Sequence, residues 1–341
     1  MADALKTALE TALQSQEDTA RSGQIEIYLD GKAILVASAK IESRTVIVRG
    51  GWLKTAVVQD EELVEGETVT NPDAFVSKVK GTMLNADIFT FVQKLPDTKP
   101  KFPYYVEWDN VAAIPMTTFA NWWEKRAKHD VRAAVRKAAK AGVVVKLEPF
   151  DDAFVKGIGS IYNETPIRQG RLFWHFQKSF DEVKRINSTY AERNVFLGAY
   201  CQDELIGFLR LICANRIAVV MQLLSKKRYS KKKPNNALIA KAVEVCEQRG
   251  IRYLTYGNFI YNDLKSSLTE FKRRNGFEPV LLPRYYIPLS RKGRIALKLG
   301  LHHEIAHFIP KTLLRYLLRI RSHWYALRWG PLTSVRHEDT V

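Results

Sequence analysis

The densest run of chemically capable side chains before the tail is residues 163–175, NETPIRQGRLFWH. Glu164 offers a carboxylate that can take a proton from an amine or bind an ammonium. Arg168 and Arg171, with Gln169 between them, offer planar forks for a carboxylate or a phosphate. His175 has an intrinsic pKa suited to proton transfer near neutrality. Each has a quieter use. Glu164 can cap a helix or pair with Arg168, and His175 can be a first-turn helix residue. A second run, residues 226–236 (KKRYSKKKPNN), sets Lys226, Lys227, Arg228, Lys231, Lys232 and Lys233 around Tyr229 and ahead of Asn235 and Asn236. Close approach of backbone to phosphate favours glycine, and the run has none. Its six cations would hold phosphates by charge, or it is a solvated loop. Arg210 and Gln222 fall on expected strands and Tyr256 and Asn258 at the end of another, where a polar group needs a protein partner or a ligand. Asn258 can equally serve as a turn or cap residue. Lys272 lies in a helix candidate, where a lysine commonly extends its stem along the surface.

The elements that must position these residues follow from periodicity. Residues 24–30 alternate, and Asp30-Gly31 marks a turn into a strand at 33–39; another strand follows at 45–49. Asn71-Pro72 starts a helix expected to reach about Leu84. Residues 87–92 and 104–108 read as strands. Residues 118–141 read as one long basic helix stopped by Gly142. Beyond it come a strand at 143–147, a helix at 151–162 and a second helix from His175 to about Tyr190. Strands at 195–201 and 205–213 form a hairpin, and 217–224 adds a third strand. A helix at 235–249, a strand at 251–256, a helix at 263–275 and extended chain at 279–288 complete this half.

The composition is that of an ordinary globular chain of two-domain length: 341 residues, 46% hydrophobic and 26% charged. Cys201, Cys213 and Cys246 have no metal or CxxC spacing and read as reduced core thiols, which points to the cytoplasm. Residues 1–22 carry acids and no apolar run, unlike a secretory signal. No apolar stretch is long enough to span a bilayer. A net charge of +17 favours an anionic partner such as nucleic acid, a phosphate-rich cofactor or a membrane surface. The tail, residues 290–341, holds ten Lys/Arg against three Asp/Glu and five of the seven histidines. Its segment 311–329 is basic and amphipathic, with Trp324, Tyr325 and Trp329, a composition suited to the inner face of an anionic membrane. His302, His303 and His307 have no acids at ligand spacing and read as interface residues rather than a metal site.

The element order over residues 142–288 resembles that of the GNAT acyltransferase superfamily, in particular its FemAB/FemX-like branch. Three stretches carry the resemblance: RAKHDVRAAVRKAAKAGVVV at 126–145, FLGAYCQDELIGFLRL at 196–211 and FKRRNGF at 271–277. It implies an α/β fold with mixed sheets and two GNAT-like halves, the C-terminal half being the clearer. The expected division is 1–141, 142–290 and a helical tail at 291–341. It also implies an N-acyltransferase acting on an amine of a cell-envelope or polysaccharide precursor. The donor would be acyl-CoA or aminoacyl-tRNA, with no metal. By the resemblance, Lys272 would stabilise the oxyanion or bind donor phosphate, and Glu164, His175 and Asn258 would join it in catalysis. Lys226, Arg228, Tyr229, Lys232, Asn235 and Asn236 would hold the donor. Arg168, Gln169, Arg171, Arg210, Gln222 and Tyr256 would hold the acceptor. The glycine-free loop departs from the usual CoA-binding pattern. A second reading is therefore an inactive GNAT-like scaffold that binds RNA or another polyanion.

Overall fold

The structure is a computed structural model that describes residues 22–29, 32–168, 170–261, 266–303 and 311–329. The expectations for residues 1–21, the Asp30-Gly31 turn, Gln169, Asp263, His307 and residues 330–341 lie outside the described residues. In chain order the strands and helices begin with β1 (Ser22–Leu29), β2 (Lys32–Ile41), β3 (Arg44–Arg49), β4 (Thr55–Val58), α1 (Pro72–Lys80), β5 (Ile88–Val92) and β6 (Tyr105–Pro115). Then come α2 (His129–Lys140), β7 (Val144–Glu148), α3 (Asp152–Tyr162), the short β8 (Ile167–Arg168) and β9 (Arg171–Leu172), and α4 (Phe180–Ser188). The meander β10 (Asn194–Cys201), β11 (Glu204–Ala214) and β12 (Ile217–Ser225) is followed by α5 (Pro234–Gln248) and β13 (Tyr253–Asn258). The chain ends in α6 (Ser267–Arg274), β14 (Glu278–Pro288), α7 (Arg291–Lys298) and α8 (Lys311–Trp329).

The chain divides into two compact units. The first is Met1–Asp109 with Leu282–Glu304, and the second is Asn110–Leu281 with Ile305–Val341. In the first unit, β1 to β4 form an antiparallel meander, β5 lies parallel to β4, and β14 pairs antiparallel with β5. Phe75, Phe89, Phe91 and Tyr285 stack in its core. In the second unit the order is β7-β10-β11-β12-β13, closed by residues 111–115 of β6 against β13. Apolar α5 lies on one face of this sheet, burying Leu238, Ile239, Ala242 and Val243 with Leu209, Leu211 and Val220. Helix α3 covers a second cluster with Phe154, Ile158 and Tyr162 against Phe196 and Phe208.

Several elements depart from the sequence expectation. The 118–141 helix is broken. A short turn, Phe119–Asn121, runs into a π-helical turn, Trp122–Arg126, and α2 starts afresh at His129. The break has a cause. Trp122 is buried, and its indole N–H donates to the Asn275 carbonyl at 2.9 Å. The Lys128 N–H leaves the helical ladder to bond the Arg274 carbonyl at 3.0 Å. Arg132 then satisfies the carbonyls released at Trp123 and Ala127, at 3.0 and 2.7 Å. Gly276 makes this close approach possible: its φ is +87°, and an added Cβ would lie 2.9 Å from the Arg126 Cβ.

The helix expected from His175 begins only at Phe180, where Ser179 and Glu182 form a reciprocal cap. A turn at 174–177 occupies the interval, and the β8–β9 hairpin precedes it. The helix expected over 263–275 is described as Ser267–Arg274, capped by Ser266. Helix α1 ends at Lys80 instead of reaching Leu84, with Asn71 capping it as expected. Strand β4 was too short to read from alternation alone.

The Trp122–Asn275 bond fixes where α6 sits, and with it Lys272. Trp122→Phe removes the donor and leaves a buried carbonyl and a small void. The expected loss is about 1–3 kcal/mol of unfolding free energy in urea denaturation. An unchanged midpoint would show that this contact does not hold α6.

Candidate functional site

The sheet of the second unit opens at one place. β12 and β13 run parallel and pair only over Ile217↔Tyr253, Ala218↔Leu254 and Val219↔Thr255. Past that point residues 220–225 pair with β11 alone, and β13 pairs with β6 through an irregularity between Thr255 and Asn258. Two neighbouring parallel strands that part in this way leave backbone groups facing a gap, which a ligand can occupy.

Lys272 lies at the end of β13. It is fully buried, and its Nζ donates to the Asn258 carbonyl at 2.7 Å. The Tyr256 ring lies 4.5 Å and the Tyr261 ring 5.0 Å from the ammonium, so two π faces cover it. Among the described residues no carboxylate pairs with it. Burial therefore pushes its pKa down to about 8. The neighbouring Arg273 and Arg274 are instead exposed and paired with Glu270. This isolates Lys272 as the unusual lysine of FKRRNGF. Asn258 is exposed beside it, and burial raises the Tyr256 phenol far above its ordinary value.

A cleft of about 690 Å³ lies beside α6. Its lining includes Lys137, Lys233, Asn236, Ser267, Phe271 and Asn275. Lys233 ends the basic loop at the start of α5, with φ +60°, the left-handed conformation that glycine takes more readily. No side-chain hydrogen bond caps α5, but Pro234 has no N–H and the Asn236 and Ala237 N–H groups donate to the Lys233 carbonyl at 3.2 and 3.4 Å, so the Asn235 N–H is the first-turn amide that these contacts leave over. Asn235 has a buried Oδ1 without a partner among the described residues, and the Asn236 amide meets Asn275 at 3.4 Å.

The rest of the basic loop is committed to internal contacts. The residues 227–232 form a 3₁₀ turn. Glu204, in the β10–β11 hairpin, takes Lys226 at 2.5 Å, the Tyr229 hydroxyl at 2.6 Å, and Arg228. Burial alone would raise the Glu204 carboxyl, but these three hydrogen bonds hold it at about 2. Glu164 accepts the backbone N–H groups of Lys227 and Arg228. Lys232 turns inward to the Ala141 carbonyl at 3.2 Å and the Cys201 sulfur at 3.0 Å. Thus Lys226, Arg228, Tyr229 and Lys232 hold the loop in place, while Lys227, Lys231 and Lys233 are exposed.

The 163–175 cluster is likewise built mainly inward. Glu164 serves the loop and pairs with Arg168 at 3.6 Å, which removes it as the expected base. Arg168 donates to the carbonyls of Ile161 and Ser225, both at 2.8 Å, and stacks on Phe173. It clamps the end of β12 rather than a substrate. His175 is buried between Tyr162 and Trp174, and its Nε2 meets the Gln222 amide at 3.1 Å. Burial, with help from Lys178 and Arg168, pushes its pKa down to about 3. A ring held neutral at physiological pH is a poor proton shuttle, so the expected catalytic role is withdrawn. Gln222 in turn accepts from the Tyr162 hydroxyl at 2.9 Å, and Tyr162 accepts from Asn187 at 3.2 Å.

Arg210 is also spent internally. It bonds Asn194 at 3.0 Å, the Ile186 carbonyl at 3.0 Å and the Thr189 hydroxyl at 2.8 Å. Burial lowers its pKa to about 10. It is a strut between α4 and the sheet, not an acceptor residue. Arg171 on β9 is exposed. Glu204, Asn275 and Tyr162 are the participants that sequence reasoning missed. Their partners lie 22 to 25 residues or more away in the chain, so no local spacing announced them.

Comparison with known proteins places this geometry. The family model described as acetyltransferase (GNAT) domain matches residues 125–273. These residues include β12, β13 and Lys272. Among solved structures, FemX matches with a TM-score of 0.53 and 11% identity, covering 79% of this chain and 89% of that one. A conserved protein of unknown function from Bacteroides thetaiotaomicron VPI-5482 matches at 0.50 and 10% identity, covering 75% and 86%. L-PGS from Bacillus licheniformis matches at 0.49 and 15% identity, covering 74% and 84%. No curated protein matched by sequence. The second unit thus holds a GNAT acyltransferase domain. The fold is that of FemX, in agreement with the expected α/β architecture and superfamily.

The buried ammonium sets a pH dependence. The unfolded chain holds the Lys272 proton to its ordinary value of 10.5, whereas the folded chain releases it near 8. Between these values the unfolded state binds more protons, so folding stability rises with pH. Unfolding free energy of the wild type relative to Lys272→Met is expected to climb from about pH 8 to 10.5. The steepest slope is about 1.4 kcal/mol per pH unit. A difference independent of pH would contradict the buried, unpaired ammonium.

Proposed function

We propose that the chain transfers an acyl group from an activated ester or thioester to an amine. The carrying observation is the gap between β12 and β13 with Lys272 at its end. The donor enters that gap, and its phosphates sit in the cleft at the start of α5, near Lys233 and Asn236. The amine nitrogen attacks the acyl carbon and gives up a proton. The C–N bond forms, the C–S or C–O bond to the leaving group breaks, and the amine proton ends on the departing sulfur or oxygen. Negative charge develops on the carbonyl oxygen between these events. The Lys272 ammonium, already stripped of water, donates to that oxygen without reorganising solvent. Asn258 borders the acceptor side. Among the originally expected residues, Lys272, Asn258, Asn235, Asn236 and Tyr256 remain in this assignment.

The donor is acyl-CoA or an aminoacyl-tRNA, and the acceptor is an amine of an envelope or polysaccharide precursor, as the sequence resemblance implies. A membrane-facing acceptor is supported by α8. This helix contains Lys311, Arg315, Arg319, Arg321 and Arg328 and no acid. Leu313, Tyr316, Ile320, Trp324 and Leu327 are exposed along it, at steps of three and four residues that share a face. An exposed apolar row among cations suits an anionic lipid surface. Among the described residues no helix is long and apolar enough to cross a membrane.

Two measurements test this reading. Donor binding by thermal shift and acyl transfer by product analysis are run with acyl-CoAs and charged tRNA. Lys272→Met is expected to lower kcat by roughly 100-fold or more, with donor affinity changed only a few-fold. Unchanged turnover would remove Lys272 from the reaction. RNA binding that collapses with salt, without transfer of any acyl group, would favour the scaffold reading. Separately, a variant carrying Ile320→Asp and Trp324→Asp is expected to lose most cosedimentation with anionic vesicles. Unchanged partitioning would exclude α8 as the contact.

A further inference from the structure

The first unit carries a second, unrelated cluster. Beyond α7 the chain turns at Gly300, whose φ is +69°, and presents two consecutive histidines. The Leu301 N–H bonds the Ala296 carbonyl at 2.9 Å, which fixes this turn against α7. Both rings reach Glu107, which sits on β6 and is 195 residues from His302 in sequence. His302 Nε2 lies 2.8 Å and His303 Nε2 lies 3.3 Å from the same carboxylate oxygen, Oε1 of Glu107. The ligand atoms of all three residues fall within 4.8 Å of one another. The sequence shows no acid at ligand spacing to these histidines; the fold supplies Glu107.

We propose that Glu107, His302 and His303 bind a divalent first-row transition ion of the zinc class. Two imidazoles and one carboxylate are a donor set that suits zinc and disfavours magnesium or calcium, which want more oxygens. The spacing fits as well. Ligands about 2.0–2.1 Å from a tetrahedral ion stand roughly 3.3 Å from each other; His303 Nε2 is at that distance from Glu107 Oε1, and His302 Nε2, now at a hydrogen-bond distance of 2.8 Å, would have to draw back by about half an ångström. A histidine–carboxylate hydrogen bond needs only one ring, whereas here two rings converge on one oxygen.

The surroundings are organised for it. The His302 side chain is 1% exposed and packs against Tyr286, with ring centroids 4.8 Å apart. Its buried Nδ1 has no partner among the described residues, and packing holds the ring with Nε2 toward Glu107. The Tyr105 hydroxyl donates to the same Glu107 oxygen at 3.2 Å and orients the carboxylate. His302 and His303 also line a cleft of about 580 Å³ that contains Asp60, Glu61, Arg49 and Arg284. Three protein ligands leave a coordination position for water or for a group entering from that cleft.

The test uses the full chain, freed of any affinity tag and stripped with a chelator. Titration with Zn²⁺ by calorimetry is expected to saturate at one equivalent, while Mg²⁺ gives no saturable binding. Co²⁺ is expected to produce the visible d–d bands of a low-symmetry site. Glu107→Gln keeps a hydrogen-bond acceptor for the rings but loses the anionic ligand. It and His303→Gln should each weaken Zn²⁺ binding by roughly 100-fold or more, with metal-free unfolding curves like the wild type. Absence of one-to-one Zn²⁺ binding would overturn the proposal. So would wild-type affinity in folded Glu107→Gln protein. Both substituted side chains are partly exposed, so the test does not depend on replacing the buried His302 ring.

Discussion

An ammonium buried with no carboxylate partner among the described residues is the constraint around which the second unit is arranged. Taking Lys272 out of water costs more than a single carbonyl returns. The Asn258 carbonyl and the faces of Tyr256 and Tyr261 offset only part of that cost. A pKa pushed down to about 8 is the visible remainder. Such a group persists because its helix is held from outside the site. Trp122 bonds the Asn275 carbonyl, Lys128 bonds the Arg274 carbonyl, and Gly276 admits both contacts. The helix break at 122–128 and the buried lysine are thus one construction. It places a buried positive charge against the Asn258 carbonyl at the end of β13.

The charge of the basic loop works differently from its appearance in sequence. Six cations within eight residues read as holding phosphates by charge or as a solvated loop. The fold spends Lys226 and Arg228 on Glu204, Lys232 on the Ala141 carbonyl and Cys201, and braces the loop's amides with Glu164. Lys233, in a left-handed turn at the start of α5, keeps its place in the cleft lining. The loop therefore presents a few positioned donors, and much of its positive charge is balanced locally. That arrangement suits a defined phosphate group better than a long polyanion.

Much of the fold was legible because its elements are long and regular. The 195–201 and 205–213 hairpin, the helix at 151–162 and the tail helix at 311–329 appear nearly as periodicity placed them. Asn71-Pro72 and Gly142 marked boundaries through local chemistry, which sequence reports well. The misreadings share a cause. The 118–141 helix reads as continuous because its interruption depends on Asn275 and Arg274, more than 140 residues away. His175 reads as a catalytic base because its type suits proton transfer; its burial between Tyr162 and Trp174 is a tertiary fact. Glu164, Arg168 and Arg210 carry the right groups, yet the fold consumes them in satisfying its own backbone. Lys272 stood out only through a family resemblance, and its isolation from Glu270, a partner of both Arg273 and Arg274, needed coordinates. Glu107 meets His302 by the same kind of distant approach.

The central claim is that an acyl donor lies between β12 and β13 with its carbonyl on Lys272. A crystal structure with a non-hydrolysable donor analogue tests it most directly. The account predicts the analogue's chain between residues 220–225 and 256–258, with its carbonyl oxygen within hydrogen-bonding distance of Lys272 Nζ. An analogue bound elsewhere, with β12 and β13 unchanged and Lys272 still sealed beneath Tyr261, would contradict it.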